Sequence, residues 1–528
     1  MAVQFSDKLR ALAADQHALI FNRGIEREAL RVDDTGSLAR TTHPEFLGSK
    51  LCHPSITTDF SEAQLELITP VSNCIDATLE YLSEIHQFVT QGLEDEILWC
   101  ASMPCVLAGD NDIPLAQYGP SNLGRLKTTY RNGLGNRYGR AMQTICAVHY
   151  NFSFSDTLWQ ALSEVEEQGG DAKSPGADYI SRRYFDLMRN FRRLSWLPVY
   201  LFGASPAVCN SFVKGRAHQL DRFDEGSLYA RGATSLRSSN LGYQSDAQSG
   251  LIDICYNSLD NYVRSLAKAI TTPHDDYTRI GLKNEDEYLQ VNANILQSEA
   301  EFYTTIRAKR VPPKGANFLK VLLEGGVEYL EIRLLDVNPY LPLGIDATEI
   351  RFLDMLLVYC LLTDSPEHDD ALCKAVNDNV QTVVWRGRQP DTTLDDGGSA
   401  RTLKDWGLEV IDSMQAIAKT MDNLHGGNQY SESLESQRLK LEDEQATPSG
   451  RILADMRSGS IPFFRFAMNK ALAHRDDFRT DTLPKDRLEY FKELATTSIL
   501  EQKQIEETDD GNFDRYLAEL NAGYKDLL

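Results

Sequence analysis

Carboxylates recur at two-residue intervals in several parts of this chain. In Ile25-Glu26-Arg27-Glu28-Ala29-Leu30-Arg31-Val32, Glu26 and Glu28 fall on one face of an extended strand, because residues i and i+2 point the same way. The same parity groups Gln64, Glu66 and Ile68, with Asp59 just ahead of them. It also groups His149, Asn151 and Ser153, and Tyr329, Glu331, Arg333 and Leu335. A strand with one wet face alternates in this way too, so any single pair reads first as a solvated face. Four such segments in one chain carry more weight. Two carboxylates about 4 Å apart repel by roughly 4 kcal/mol at an effective dielectric near 20. If these acids converge on one sheet face they need a cation. Oxygen-rich ligation with one histidine suits Mg2+ or Mn2+ rather than zinc, and magnesium that bridges phosphates is the usual partner of ATP.

Basic residues follow the opposite logic. Arg237 lies in ATSLRSSNLGY, Arg307, Lys309 and Arg310 lie in TIRAKRVPPK, and Arg333 is two residues from Glu331. Arginine offers a fork that fits carboxylate and phosphate oxygens. A basic run alone reads as a solvated face, so Arg333 is the stronger candidate. Neither GxGxxG after a strand nor GxxxxGK[ST] occurs, which weakens Rossmann and P-loop readings.

The elements that must carry these residues are strands mixed with helices, without a regular βαβ rhythm. Strands are expected at 25–32, closed by the turn Asp33-Asp34-Thr35-Gly36, at 64–69, 144–154, 289–297 and 327–335. Helices are expected over 1–20, 75–97 and near 178–195, and the pattern turns helical from about 347. The stretch 102–137 is punctuated by Pro104, Pro114, Gly119, Pro120, Gly124, Gly133 and Gly135 and reads as loop-rich. Residues 165–176, 386–400 and 424–449 also read as loops. An α+β chain with a largely antiparallel sheet and a helical C-terminal part fits this order.

The chain has 528 residues, 42% hydrophobic and 25% charged, with a net charge of −23. Single cores stop growing near roughly 250–300 residues, so one uniform core is not expected. The acidic balance disfavours nucleic acid and anionic lipid as partners. No run of about 18 apolar residues is present, and the first twenty residues lack a secretory apolar block. Nine scattered cysteines without CxxC spacing read as free thiols in a reducing cytoplasm rather than a zinc site or disulfide framework.

The segments RGIEREALRV, HPSITTDFSEAQLELITPV, LAQYGPSNLGRLKTTYRNGL, MQTICAVHYNFS, YLFGASPAVC, ATSLRSSNLGY and EYLEIRLLDVNPYLP closely resemble the glutamate–cysteine ligases of the bacterial single-chain type. The likeness is densest from about 20 to 360. It implies a glutamine-synthetase-like fold: a curved, mainly antiparallel sheet with helices on its outer side and a helical C-terminal part. It implies a ligase core over 1–380 and a mostly helical extension over 381–528 packed on it. It implies that ATP phosphorylates the γ-carboxylate of glutamate and that the amine of cysteine displaces phosphate, giving γ-glutamylcysteine, the first step of glutathione biosynthesis. The implied metal ligands are Glu26, Glu28, Asp59, Glu66, His149 and Glu331, holding two or three Mg2+ or Mn2+ ions. Arg237 and Arg333 are implied to hold the transferring phosphoryl group and the glutamyl moiety. Tyr130, Leu134, Gln143, Ile145, Tyr243 and Tyr303 match positions around the acceptor cysteine, with Arg131 nearby.

Two rivals stand beside the ligase. A non-catalytic relative would have lost ligands, whereas all six positions here carry competent side chains. A ligase with another amine acceptor differs only in pocket shape, worth about 1–3 kcal/mol per methylene. The expected partners are small molecules alone, namely glutamate, cysteine and ATP, with no nucleic acid and no membrane. The chain is expected to be a cytoplasmic monomer.

Overall fold

The structure, a computed structural model, describes residues 4–104, 106–166, 175–242, 254–313 and 315–528. Its main sheet has seven strands: β1 (Phe21–Val32), β2 (Ile56–Thr58), β3 (Gln64–Ile68), β4 (Ile97–Leu98), β5 (Ala147–Phe154), β6 (Ile306–Lys309) and β7 (Tyr329–Asp336). Every pairing is antiparallel, in the order β6-β7-β5-β1-β3-β2, and β4 pairs with the last residues of β1.

The central strands bury both faces, but with different residues. Ile25, Tyr150, Phe152, Leu330 and Ile332 are fully buried on the apolar side. Burying each such side chain contributes about 1.5–3 kcal/mol. Helix α1 (Ile75–Gly92) packs on β1 and β3. After α2 (Asn122–Tyr138) come α3 (Ala177–Leu194), which packs on β6, and α4 (Trp196–Phe202), which packs on β7. Arg23 and Asp354 form a buried ion pair, Nη2 to Oδ2 2.6 Å, that ties β1 to α5 (Ala347–Leu362). Tyr150 donates its hydroxyl to the same carboxylate at 2.6 Å.

Several expectations meet corrections. Residues 289–297 form no strand; side chains satisfy the backbone there, as when Gln297 Oε1 accepts from Val291 N at 2.9 Å. The loop-rich reading of 102–137 misses α2. Ser121 Oγ caps that helix by accepting from Gly124 N at 3.2 Å, and its glycines answer to close contacts rather than to turns. The polar stretch 424–449 contains α6 (Gln429–Glu442), and 386–400 leads into a hairpin of Thr393–Asp396 with Ser399–Thr402. The first helix covers only Phe5–Ala13. A register shift between Ile332 and Leu335 sets Leu335 opposite Val148 on the apolar side, so Leu335 does not share the face of Glu331. Of the expected loop 165–176, residues 167–174 lie outside the described residues.

The C-terminal helices wrap the sheet domain. They include α7 (Phe463–Thr480) on α1 and β4, α8 (Lys485–Thr508) on α1, and α9 (Phe513–Lys525) on α2. Among the described residues no helix is long and apolar enough to cross a membrane.

Candidate active site

The register of the sheet assembles the acidic face. Glu26 pairs with His149, Glu28 with Glu66, and Glu331 with Asn151. Paired residues on neighbouring strands share a face, so carboxylates from β1, β3 and β7 meet around the β5 histidine. His149 Nδ1 lies 3.2 Å from Glu26 Oε2, and Nε2 lies 3.8 Å from Glu28 Oε1. Asn151 Nδ2 donates to Glu26 Oε1 at 2.8 Å, and Ala147 N donates to Glu28 Oε2 at 2.7 Å.

Two groups of potential ligand atoms result, Glu26–His149–Glu331 and Glu28–Glu66–His149, each within 4.8 Å of one another. Asp59 stands outside both, partly exposed, with Arg131 Nη2 at 4.0 Å from its Oδ1. Burial, then Asp59 and Glu66, push the Glu28 carboxyl well above the usual range. Burial, then Glu26 and Asp59, push Glu66 up to about 8. Burial opposes the charge of Glu26, but its hydrogen bond with His149 brings it below the ordinary value. Glu331 is pulled well below it, against burial, by Arg333, Lys309 and Arg307. Crowded acids of raised pKa, and a buried Glu331 Oε2 with no hydrogen bond among the described residues, make a donor set that fits a hard divalent cation.

Cations flank this face. Arg333 Nη1 donates to Glu331 Oε1 at 3.0 Å, Lys309 Nζ is 3.7 Å from the same oxygen, and Arg307 Nη1 is 3.8 Å from Oε2. Of the basic run, Arg307 and Lys309 therefore belong to this cluster, whereas Arg310 turns away and gives its Nε to the Gly326 carbonyl at 2.6 Å. Arg237, buried in the turn Leu236–Ser238, is fixed by Asp336: Nε donates to Oδ1 at 2.8 Å, and Nη2 donates to the Arg333 carbonyl at 3.0 Å.

The residues expected around the acceptor that the structure describes come from three segments. Tyr130, Arg131 and Leu134 share one face of α2. Gln143 and Ile145 precede β5; Gln143 Nε2 is 3.3 Å from the Tyr303 hydroxyl, and the Ile145 carbonyl accepts from Gln64 Nε2 at 3.0 Å. Gln297 Nε2 bonds the Tyr130 carbonyl at 3.2 Å and so links α2 to the segment that leads to Tyr303. Tyr243 lies outside the described residues. Lys127, which sequence reasoning did not single out, stands one turn before Tyr130 and Arg131 on the same helical face, a placement that i, i+3, i+4 spacing gives once α2 is read as a helix.

An acidic sheet face rimmed by arginine and lysine is the layout of an enzyme that handles anionic substrates by neutralising charge. The family model described as glutamate-cysteine ligase matches residues 8–383. A glutamate–cysteine ligase of Alcanivorax borkumensis is 49% identical, over 96% of this chain and 97% of the relative; one of Azotobacter vinelandii is 44% identical over 99% of each. The crystal structure of the Francisella tularensis glutamate–cysteine ligase in complex with AMP superposes with a TM-score of 0.89 at 36% identity, covering 96% of this chain and 99% of that one. A bifunctional glutathione synthetase from Pasteurella multocida shares the fold, with a TM-score of 0.68 at 24% identity over 90% of this chain and 54% of that one. The chain belongs to the glutamate–cysteine ligase family and is a ligase.

Proposed function

We propose that this enzyme joins the γ-carboxylate of L-glutamate to the amine of L-cysteine at the expense of ATP, the first step of glutathione synthesis. The observation that carries the reading is near-full-length likeness to glutamate–cysteine ligases. A carboxylate is a poor electrophile, so the γ-carboxylate attacks the terminal phosphorus of ATP, ADP leaves, and γ-glutamyl phosphate forms. The cysteine nitrogen then attacks the acyl carbon and the C–O bond to phosphate breaks. Such transfer needs positioning and charge neutralisation rather than a protein nucleophile.

Glu26 and Glu331, and Glu28 and Glu66, with the one unprotonated nitrogen of His149 serving one of the two groups and Asp59 at the margin, would hold two or three Mg2+ or Mn2+ ions, which would supply charge neutralisation at the phosphate oxygens. The remaining roles fall to the chain's own side chains. Arg333, with Lys309 and Arg307 beside it, offers donors to the transferring phosphoryl group. Arg237 shapes the same edge from its anchor on Asp336. Tyr130, Arg131, Leu134, Gln143, Ile145, Tyr243 and Tyr303 line the acceptor cysteine: apolar walls for its stem and hydroxyls for its carboxylate. Residues 1–380 form the ligase core and 381–528 the helical extension. The enzyme acts as a cytoplasmic monomer on small molecules.

The test is phosphate release with ATP, Mg2+ and glutamate, comparing cysteine, 2-aminobutyrate, ammonia and diamines as acceptors. Cysteine should be preferred. ADP release at the full rate without an acceptor, or a preference for ammonia, would overturn the reading.

A further inference from the structure

Three cations surround one ring outside the cluster at Glu331. Arg131 Cζ lies 4.5 Å, Lys127 Nζ 5.3 Å and Lys50 Nζ 5.8 Å from the centroid of Tyr118, whose hydroxyl donates to the Thr58 carbonyl at 2.5 Å. Two of the three are committed elsewhere. Lys50 grips both oxygens of Glu62. Arg131 gives its Nε to the Asp59 carbonyl, Nη1 to the Lys127 carbonyl at 3.1 Å and Nη2 to the Thr58 carbonyl at 3.3 Å.

Lys127 differs. Among the described residues its ammonium makes no hydrogen bond and has no carboxylate within 4.0 Å. It is half-buried, on the face of α2 that carries Tyr130, Arg131 and Leu134, and its charge acts on Glu66. A cation withdrawn from water without a partner costs free energy, and once Glu66 shares a metal ion the nearby positive charge rises further. Such an ammonium needs an anion that arrives with a substrate.

The sheet geometry tells which anion. Arg307, Lys309 and Arg333 gather at Glu331 on β7, whereas Lys127 stands over the Tyr118 ring, where its charge acts on Glu66 of β3. Strands β7 and β3 lie on opposite sides of the β5-β1 pair, so Lys127 approaches the acidic face from one side and the other three cations from the opposite side. A phosphoryl group held by the three cations at Glu331 leaves the Lys127 side of the face to a different anion. Glutamate and cysteine each carry an α-carboxylate several bond lengths from the reacting atom. Lysine meets such a group as a point charge.

We propose that Lys127 binds the α-carboxylate of an amino-acid substrate and so helps to select it. The proposal rests on the ligase reading. The test uses Lys127→Met, which keeps the length of the stem, and Lys127→Arg, which keeps the charge; Lys127→Gln replaces the first variant if it fails to fold. KM would be measured for glutamate, cysteine and ATP, with inhibition constants for the decarboxylated analogues 4-aminobutyrate and cysteamine. The expected result is a rise of about 10–100-fold in KM for one amino acid, with its decarboxylated analogue bound as before, ATP unaffected and partial rescue by arginine. Which amino acid responds identifies the carboxylate. No rise, a rise confined to ATP, or an equal rise for all three substrates overturns the proposal. A wild-type protein that forms no γ-glutamyl product would instead overturn the ligase reading.

Discussion

Glu331 and Glu66 sit in opposite electrostatic surroundings although both belong to one acidic face. Three cations hold Glu331 ionised, while burial and neighbouring acids push Glu66 up to about 8. Replacing either by glutamine should lower ligase activity by at least about 100-fold, because a lost ligand charge loosens the cation and misplaces the phosphates. Circular dichroism should match wild type; activity of Glu331→Gln within twofold of wild type would remove it from the ligand set. Glu66 also predicts a pH effect on the metal-free protein. Its carboxyl titrates higher in the folded state than its ordinary 4.5, so its contribution to stability is full below that value and is lost as pH climbs through about 8. The melting temperature without metal should therefore fall between pH 5 and 8 more steeply for wild type than for Glu66→Gln. Parallel curves would show that Glu66 is not the strained group. The Tyr303 hydroxyl meets Gln143 at 3.3 Å and is expected to serve the cysteine carboxylate. Tyr303→Phe should raise KM for cysteine about 10-fold or more and leave that for ATP unchanged. A lower melting temperature with normal cysteine kinetics would make it a packing residue.

Strands β1, β5 and β7 were legible because alternation survives on a sheet that is acidic on one side and apolar on the other. Helix α2 was not, because its glycines look like breakers. Their reason is local contact: a Cβ on Gly133 would stand 2.0 Å from Gln297 Oε1, and one on Gly124 would stand 2.4 Å from the Tyr118 carbonyl. Gln297 is itself pinned to Val291 and Tyr130. Gly133→Ala should cost about 1–3 kcal/mol of stability and shift Tyr130 against Tyr303. Thermal unfolding and KM for cysteine measure the two effects; an unchanged melting temperature would mean that Gln297 moves aside freely.

The C-terminal helices reach back to the acceptor side of the molecule. Asp509 Oδ2 accepts from Asn122 N at 2.9 Å at the start of α2, and buried Phe513 and Leu517 of α9 pack with Val291. Deleting 509–528 should cost about 4 kcal/mol or more, summing a lost cap and two lost apolar side chains, and should raise KM for cysteine. A truncated protein with wild-type melting and kinetics would make this segment dispensable. The net charge of −23 frames the site: against that background, cations gather at Glu331 and Tyr118, where the proposed substrates would bring negative charge. Strand parity was fixed by the chain alone, since alternation follows from backbone geometry, and so the acids of β1, β3 and β7 and His149 could be named in advance. Parity alone did not show their convergence, which only the family resemblance implied. Register between β1 and β5 depends on strands more than a hundred residues apart, and the shift after Ile332 moved Leu335 off the acidic face. Arg307 and Lys309 became partners of Glu331, and Lys127, among the described residues, came to stand over Tyr118 without a carboxylate beside it, through packing of α2 and β6 against distant segments. Contacts of that kind are settled by the whole fold, because no local pattern encodes which distant surface a side chain will meet.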